Sequence, residues 1–241
     1  MRKIICFLLV SLLSMHLMAV KKIDGIWYDL SGDTAIVYNP KHLNPNYYPG
    51  EEPYIGDVVI PSEVISDDKV YTVTTLGSTC FNGKKLHSVE LPNTIRWMHS
   101  DSYYGSGIEY LEIPAYIKIK KNNGNSFYAM SNLKTAFIYC TFDNMVLSGS
   151  NLRFALLGDC KSIKENCFTS QKMQKIVLFE NIPPVTSCVQ YGEYDPNAAF
   201  GGIENARYYY NNVTLYIPQG SLQNYLRHPT WGQFLHIEEI D

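Results

Sequence analysis

The side chains of this sequence best suited to covalent or metal chemistry are its cysteines, and their spacing argues against both uses. Cys80, Cys140, Cys160, Cys167 and Cys188 form no CxxC pair, and the six histidines are scattered, so zinc-ligand spacing is missing. None of the five has a histidine close by in sequence to take its proton, as an activated thiol needs. The carboxylate pairs Glu51-Glu52 and Glu238-Glu239 are adjacent residues, which an extended chain points to opposite sides, so neither serves as an acid–base couple. A Walker loop, a dinucleotide glycine fingerprint, HExxH and GxSxG are also missing, and Gly201-Gly202 reads as a turn. The expectation is a chain that is not an enzyme, with no catalytic residue, no cofactor and no metal site.

Recognition chemistry is better supplied. Nineteen tyrosines gather in runs, with Tyr47, Tyr48 and Tyr54 in "NPNYYPGEEPY", then Tyr103-Tyr104, then Tyr208 to Tyr210. An exposed tyrosine offers a large contact face at low entropic cost and stacks on peptide or sugar. Packing within strands and loops explains such runs as well. Charged residues make up 18% of the chain at a net charge of −3, with no basic cluster to meet a phosphate backbone. Nucleic acid is therefore not expected as a partner.

The elements that position these residues repeat. "IGDVVIP" starts at Ile55, "LHSVELP" at Leu86, "IEYLEIP" at Ile108, "LKTAFIY" at Leu133, "LRFALLG" at Leu152, "MQKIVLF" at Met173 and "NVTLYIP" at Asn212. From Leu86 to Met173 the steps are 22, 25, 19 and 21 residues, the signature of a stacked array. Each copy alternates like a half-buried strand, with Val89 and Leu91, or Leu111 and Ile113, on one side. Five or six residues upstream stands a large apolar residue: Phe81, Tyr103, Phe127, Leu147 and Phe168. Leu76, Met98 and Ile163 lie earlier still. Ordering each residue of such a coil costs about 1–2 kcal/mol in backbone entropy. Its few apolar side chains return about 1.5–3 kcal/mol each. One coil alone loses, so several must fold together.

The ends differ from the middle. Arg2 and Lys3 precede a nearly unbroken apolar run from Ile4 to Met18, and Ala19 is a plausible cleavage residue, which reads as a secretory leader over 1–19. Its loss moves the net charge to −5, because Arg2 and Lys3 leave with it. No second apolar stretch is long enough to span a bilayer. Residues 20–54 are expected to form a β cap with a hairpin around Ser31-Gly32-Asp33, and another hairpin turns at Asp67-Asp68-Lys69. The array occupies 55–218, about seven strand repeats with a long loop at 180–211. Residues 219–241 form a C-terminal cap, with Ser221 as the N-cap of a short helix and Trp231 and Phe234 sealing the end. Cys80 and Cys167 each precede a Phe and read as buried free thiols. Five cysteines leave at least one unpaired, and pairing among Cys80, Cys140, Cys160, Cys167 and Cys188 stays open.

From about residue 23 to 241 these features resemble the BspA-like leucine-rich repeat proteins of gut and oral bacteria. The resemblance is carried by "VVIPSEV…KVYTVTTLGSTCF", by the strand-Pro phrases and by the ending "VTLYIPQGSLQNYLRHPTWGQFLHIEEID". Copies four, five and six depart from it, with Tyr139, Gly158 and Phe179 in place of the Pro. The resemblance implies a β-rich solenoid, a right-handed leucine-rich repeat superhelix with a parallel sheet, an N-terminal β-hairpin cap and a C-terminal helical cap. It also implies export to the cell surface or medium, with the periplasm as an alternative, and adhesion to host or microbial proteins. It supplies no catalytic residue.

Strand alternation then gives the outward columns. One holds Val59, Glu90, Glu112, Phe137, Leu156, Val177 and Tyr216; the other holds Asp57, Ser88, Tyr110, Thr135, Phe154, Lys175 and Thr214. They are acidic at the start and apolar from the fourth copy, so Tyr110, Phe137, Phe154, Leu156 and Val177 form the candidate protein-binding patch, unless the 180–211 loop folds over it. Tyr47, Tyr48 and Tyr54 form the second candidate, for glycan.

Overall fold

The computed structural model describes residues 19–42, 54–120, 127–141, 146–147, 149, 151–186, 189–190 and 193–241. The leader run at 1–18, Tyr47, Tyr48 and Cys188 lie outside them. The chain opens as an antiparallel meander of β1 (Ala19–Ile23), β2 (Ile26–Ser31) and β3 (Thr34–Val37), with the second turn at Gly32 as the sequence leads one to expect. After β4 (Gly56–Val59) comes the hairpin of β5 (Glu63–Ser66) and β6 (Lys69–Leu76). Its turn residues Asp67 and Asp68 have φ of 51° and 60°, the left-handed pair that a tight two-residue hairpin demands.

The repeats proper follow as β7 (Leu86–Glu90), β8 (Trp97–His99), β9 (Tyr110–Ile113), β10 (Lys118–Lys120), β11 (Thr135–Ile138), β12 (Phe154–Leu157), β13 (Ser162–Ile163) and β14 (Lys175–Leu178). Short strands β15 (Val185–Thr186), β16 (Val189–Gln190) and β17 (Glu193–Tyr194) lead to helix α1 (Ile203–Asn212). The chain closes with β18 (Thr214–Pro218), α2 (Leu222–Leu226) and β19 (His236–Ile240).

All seven repeated phrases form strands, and five of them lie side by side. The order β9-β11-β12-β14-β18 is parallel throughout, with β19 added at the far edge. A second ladder, β1-β2-β3-β6-β8-β10, carries β5 on β6; from β3 onward its path is parallel. The inward side of the phrase ladder is the aliphatic spine, with Leu111, Ile113, Ala136, Ile138, Ala155, Leu157, Ile176 and Leu178 buried. Beside it runs a column in which successive repeats set one ring on the next, with Leu147 in place of a ring between Phe127 and Phe168. Ring centroids are 5.9 Å apart for Tyr54 and Phe81, 4.9 Å for Phe81 and Tyr103, 6.4 Å for Tyr103 and Phe127, and 6.1 Å for Phe168 and Phe200.

The departures from the Pro phrase have a physical use. The N–H groups of Tyr139, Gly158 and Phe179 donate to Ile113 O, Ile138 O and Leu157 O at 2.9, 2.7 and 3.3 Å, extending the ladder by a bond that proline has no hydrogen to make.

Three expectations need correction. The ladder of phrases is not continuous: β4 and β7 form a separate parallel pair, with no ladder between β7 and β9. Residues 180–211 are not one long loop over the outer face. Their described part makes a further winding, with β15 parallel to β13, with Asn166 N and Phe168 N donating to Ala198 O and Ala199 O at 2.8 and 2.9 Å, and with α1 packed by Tyr209 on Phe200. The C-terminal end is not a helical cap alone, since α2 spans five residues and β19 completes the sheet beyond it. The Ser221 hydroxyl donates back to Pro218 O at 2.6 Å instead of accepting from the helix, and Glu239 Oε1 accepts from Leu222 N at 2.9 Å in its place. Trp231 and Phe234 are buried at this end, the Trp231 indole donating to Pro184 O at 2.9 Å.

Candidate functional site

The outer face of the six-stranded sheet is set by strand register. Tyr110, Thr135, Phe154, Lys175, Thr214 and His236 form one row across neighbouring strands, and Glu112, Phe137, Leu156, Val177, Tyr216 and Glu238 form the next. Both rows agree with the columns read from alternation, because a parallel in-step ladder keeps equivalent residues on one face.

Three of the candidate residues make a continuous ribbon. The Phe137 ring lies 5.5 Å from Tyr110 and 5.3 Å from Phe154, both tilted. Leu156 borders Phe137 on the next strand and is half-buried. Val177 is also in register but is buried at 6% exposure, between Leu156 and Tyr216 on the flanking strands, so it supports the face without presenting much of itself. Sequence reasoning passed over Tyr139, which stacks on Phe137 at 6.3 Å with planes 5° apart and is exposed. Its signal was parity: Tyr139, just past the end of β11, continues the alternation of Thr135 and Phe137. Tyr216 closes the face, with Lys175 Nζ 5.6 Å above its ring centre.

Charge enters from the first repeats. The Tyr110 hydroxyl donates to Glu112 Oε2 at 2.9 Å. Partial burial first, and then that carboxylate, push the phenol up to about 12, so it stays a donor at neutral pH. Asp57 Oδ1 accepts from the Ser88 hydroxyl at 2.7 Å, and Glu90 is exposed beside them.

The second candidate fares differently. Tyr54 is buried at 4% exposure, its ring against Phe81, its hydroxyl accepting from Trp27 N at 3.2 Å and donating to Tyr38 O at 2.8 Å. It is a core residue and offers no face to a glycan. Tyr209 and Tyr210 are buried on α1, donating to Ser170 O at 2.9 Å and to Asn197 Oδ1 at 3.2 Å.

The thiols are poor nucleophiles. Cys80, Cys140, Cys160 and Cys167 are buried. Burial pushes the Cys80 thiol well up and the Cys140 thiol to about 12, the opposite of what thiolate chemistry needs. Among the described residues no group of three His, Cys, Asp or Glu is placed to hold a metal, and no helix is long and apolar enough to cross a membrane.

Residues 65–175 match the model of the BspA type leucine rich repeat region, in six copies. Among solved structures, the chain is similar to a leucine rich cell surface protein from Faecalibacterium prausnitzii A2-165, at 16% identity and a TM-score of 0.36 over 70% of this chain and 50% of that one. It thus spans half the length of that relative. The pneumococcal vaccine antigen PcpA is similar at 10% identity and a TM-score of 0.35, over 93% of this chain and 99% of that one. A leucine-rich repeat protein from Bacteroides ovatus ATCC 8483 is similar at 16% identity and a TM-score of 0.34, over 89% of this chain and 66% of that one. No curated protein matches the chain.

Proposed function

We propose, from the premise that residues 65–175 are BspA-type leucine-rich repeats, that this chain is an exported, non-catalytic repeat protein. It is a solenoid whose outer sheet face recognises another protein at the cell surface, as an adhesin does. The observation that carries the reading is the ribbon Tyr110–Phe137–Phe154, continued by Tyr139. These rings touch one another, stand on successive rungs of a rigid sheet, and are left partly open to water. Aromatic side chains on a fixed scaffold are the commonest anchors of protein interfaces, because they bury much area and lose little rotamer freedom on binding. The leader over 1–19 supports export, and the thiol environment and ligand spacing support the absence of catalysis. The test is adherence of fluorescently labelled protein to intact host and bacterial cells. Phe154→Asp should abolish adherence with the far-UV circular dichroism spectrum and melting unchanged; undiminished adherence sinks the reading.

A further inference from the structure

The break between β7 and β9 lies where the phrases are most alike, "LHSVELP" against "IEYLEIP". The two windings do meet just upstream, where Gly107 N donates to Gly83 O at 2.7 Å. That contact is tight, since a Cβ on Gly107 would sit 2.2 Å from Lys84 O. Beyond it the strands part and leave a cleft of about 350 Å³ lined by Ser88, Val89, Glu90, Leu91, Tyr110 and Glu112 among others.

The sequence disfavours closing the cleft. Closing the ladder would bring Glu90 beside Glu112 on the outer face, at the spacing where like charges destabilise a strand pair. Pro114 stands where Tyr139, Gly158 and Phe179 each donate to the preceding winding, and it has no hydrogen to give, so closure would also lack that bond. Pro92 and Pro218 at the same place leave the β4–β7 and β14–β18 ladders intact, so the charge pair is the feature peculiar to this junction. The consequence is visible in the spine: Val89 and Leu91 stay half-buried, whereas their equivalents Leu111 and Ile113 are covered. The cleft therefore presents an apolar floor, two strand edges without a ladder between them, and a carboxylate on each rim.

We propose that this cleft takes one extended segment of a partner protein as an added β-strand, a segment that alternates apolar and basic residues. Its backbone pairs with the free edges of β7 and β9, as in strand addition to an exposed sheet edge. Its apolar residues point down onto Val89, Leu91 and Leu111 and complete the spine. Its Lys or Arg residues point outward between Glu90 and Glu112, turning the repulsion that disfavours closure into attraction on both sides. This site adjoins the aromatic ribbon, shares Tyr110 with it, and does not rest on it.

The probe is the blocked peptide acetyl-Val-Lys-Val-Lys-Val-Lys-Val-amide, titrated calorimetrically into the full chain. The expected result is saturable binding that an N-methylated backbone weakens by about tenfold or more, because one edge of donors is gone. The double exchange Glu90→Lys, Glu112→Lys should weaken it comparably while both residues, being exposed, leave the melting temperature near that of the parent. Phe154→Asp should leave peptide binding intact, separating this site from the face described above. The proposal is overturned by no binding, by equal affinity of the N-methylated peptide, by equal affinity of a Val-Glu peptide, or by a double exchange without effect.

Discussion

Phe81 and Tyr103 are 22 residues apart in sequence and 4.9 Å apart ring to ring, so one repeat of chain places one ring on the next. Both are buried, with Tyr54 beyond Phe81 and Phe127 beyond Tyr103. Removing a ring from such a column leaves a void that its neighbours cannot fill without shifting whole windings. Phe81→Ala should therefore cost about 3–5 kcal/mol, the range for truncating a large buried aromatic. Urea unfolding measures it. A loss under about 1 kcal/mol would mean that the column does not bind the repeats together.

Gly158 replaces the Pro of the repeat phrase, and its surroundings forbid a return to it. A Cβ there would lie 2.8 Å from both Tyr139 Cα and Tyr139 O, and its N–H donates to Ile138 O. Gly158→Ala should destabilise by about 1–3 kcal/mol through overpacking. Gly158→Pro should cost more, although it restores the family pattern. Thermal melts of the two variants give the order; a stabilising proline contradicts it.

Asp29 is buried on β2, and burial holds its carboxyl above the usual carboxylate range. The folded state then binds the proton more tightly than the unfolded chain does. Its contribution is most favourable below the unfolded pKa and declines as pH rises through the folded one, then stays flat. Asp29→Asn should raise the melting temperature at pH 7 and flatten its dependence across the acid range. An unchanged profile would show that the carboxylate is solvated as well in the fold as outside it.

The four described cysteines are buried, with the Cys80 and Cys140 thiols pushed up by burial. A chain of residues 20–241 carrying Cys188→Ser should give no fast reaction with a thiol reagent at pH 8 until it is unfolded. All four should then react together. Rapid native labelling would place a thiol at the surface and reopen the question of its chemistry.

Much of this was legible because it is periodic. Leu111 and Ile113 against Glu112 announce a strand and its faces, and Phe81, Tyr103 and Phe127 announce the ring column, since each position repeats under the same burial. What is not periodic was harder to see. Helix α1 hides in "IENARYYYNN", where Ala206, Tyr209 and Tyr210 do keep helical spacing, but two glycines before them and the run of tyrosines look like a loop. Tyr54 resembles Tyr47 and Tyr48 in composition, yet it is the neighbour of Phe81 in space, a long-range fact that no local pattern carries. At the break between β7 and β9 a closed ladder would set Glu90 beside Glu112, a pairing that only register discloses.

The most direct test of the recognition face is a photo-crosslinking amino acid placed at Phe137 and, as a control, at Lys118, an exposed residue on the second ladder. On intact producing cells mixed with host cells, irradiation should yield a discrete protein adduct at position 137 and none at 118. No adduct at either position, or equal adducts at both, would contradict the assignment of that face.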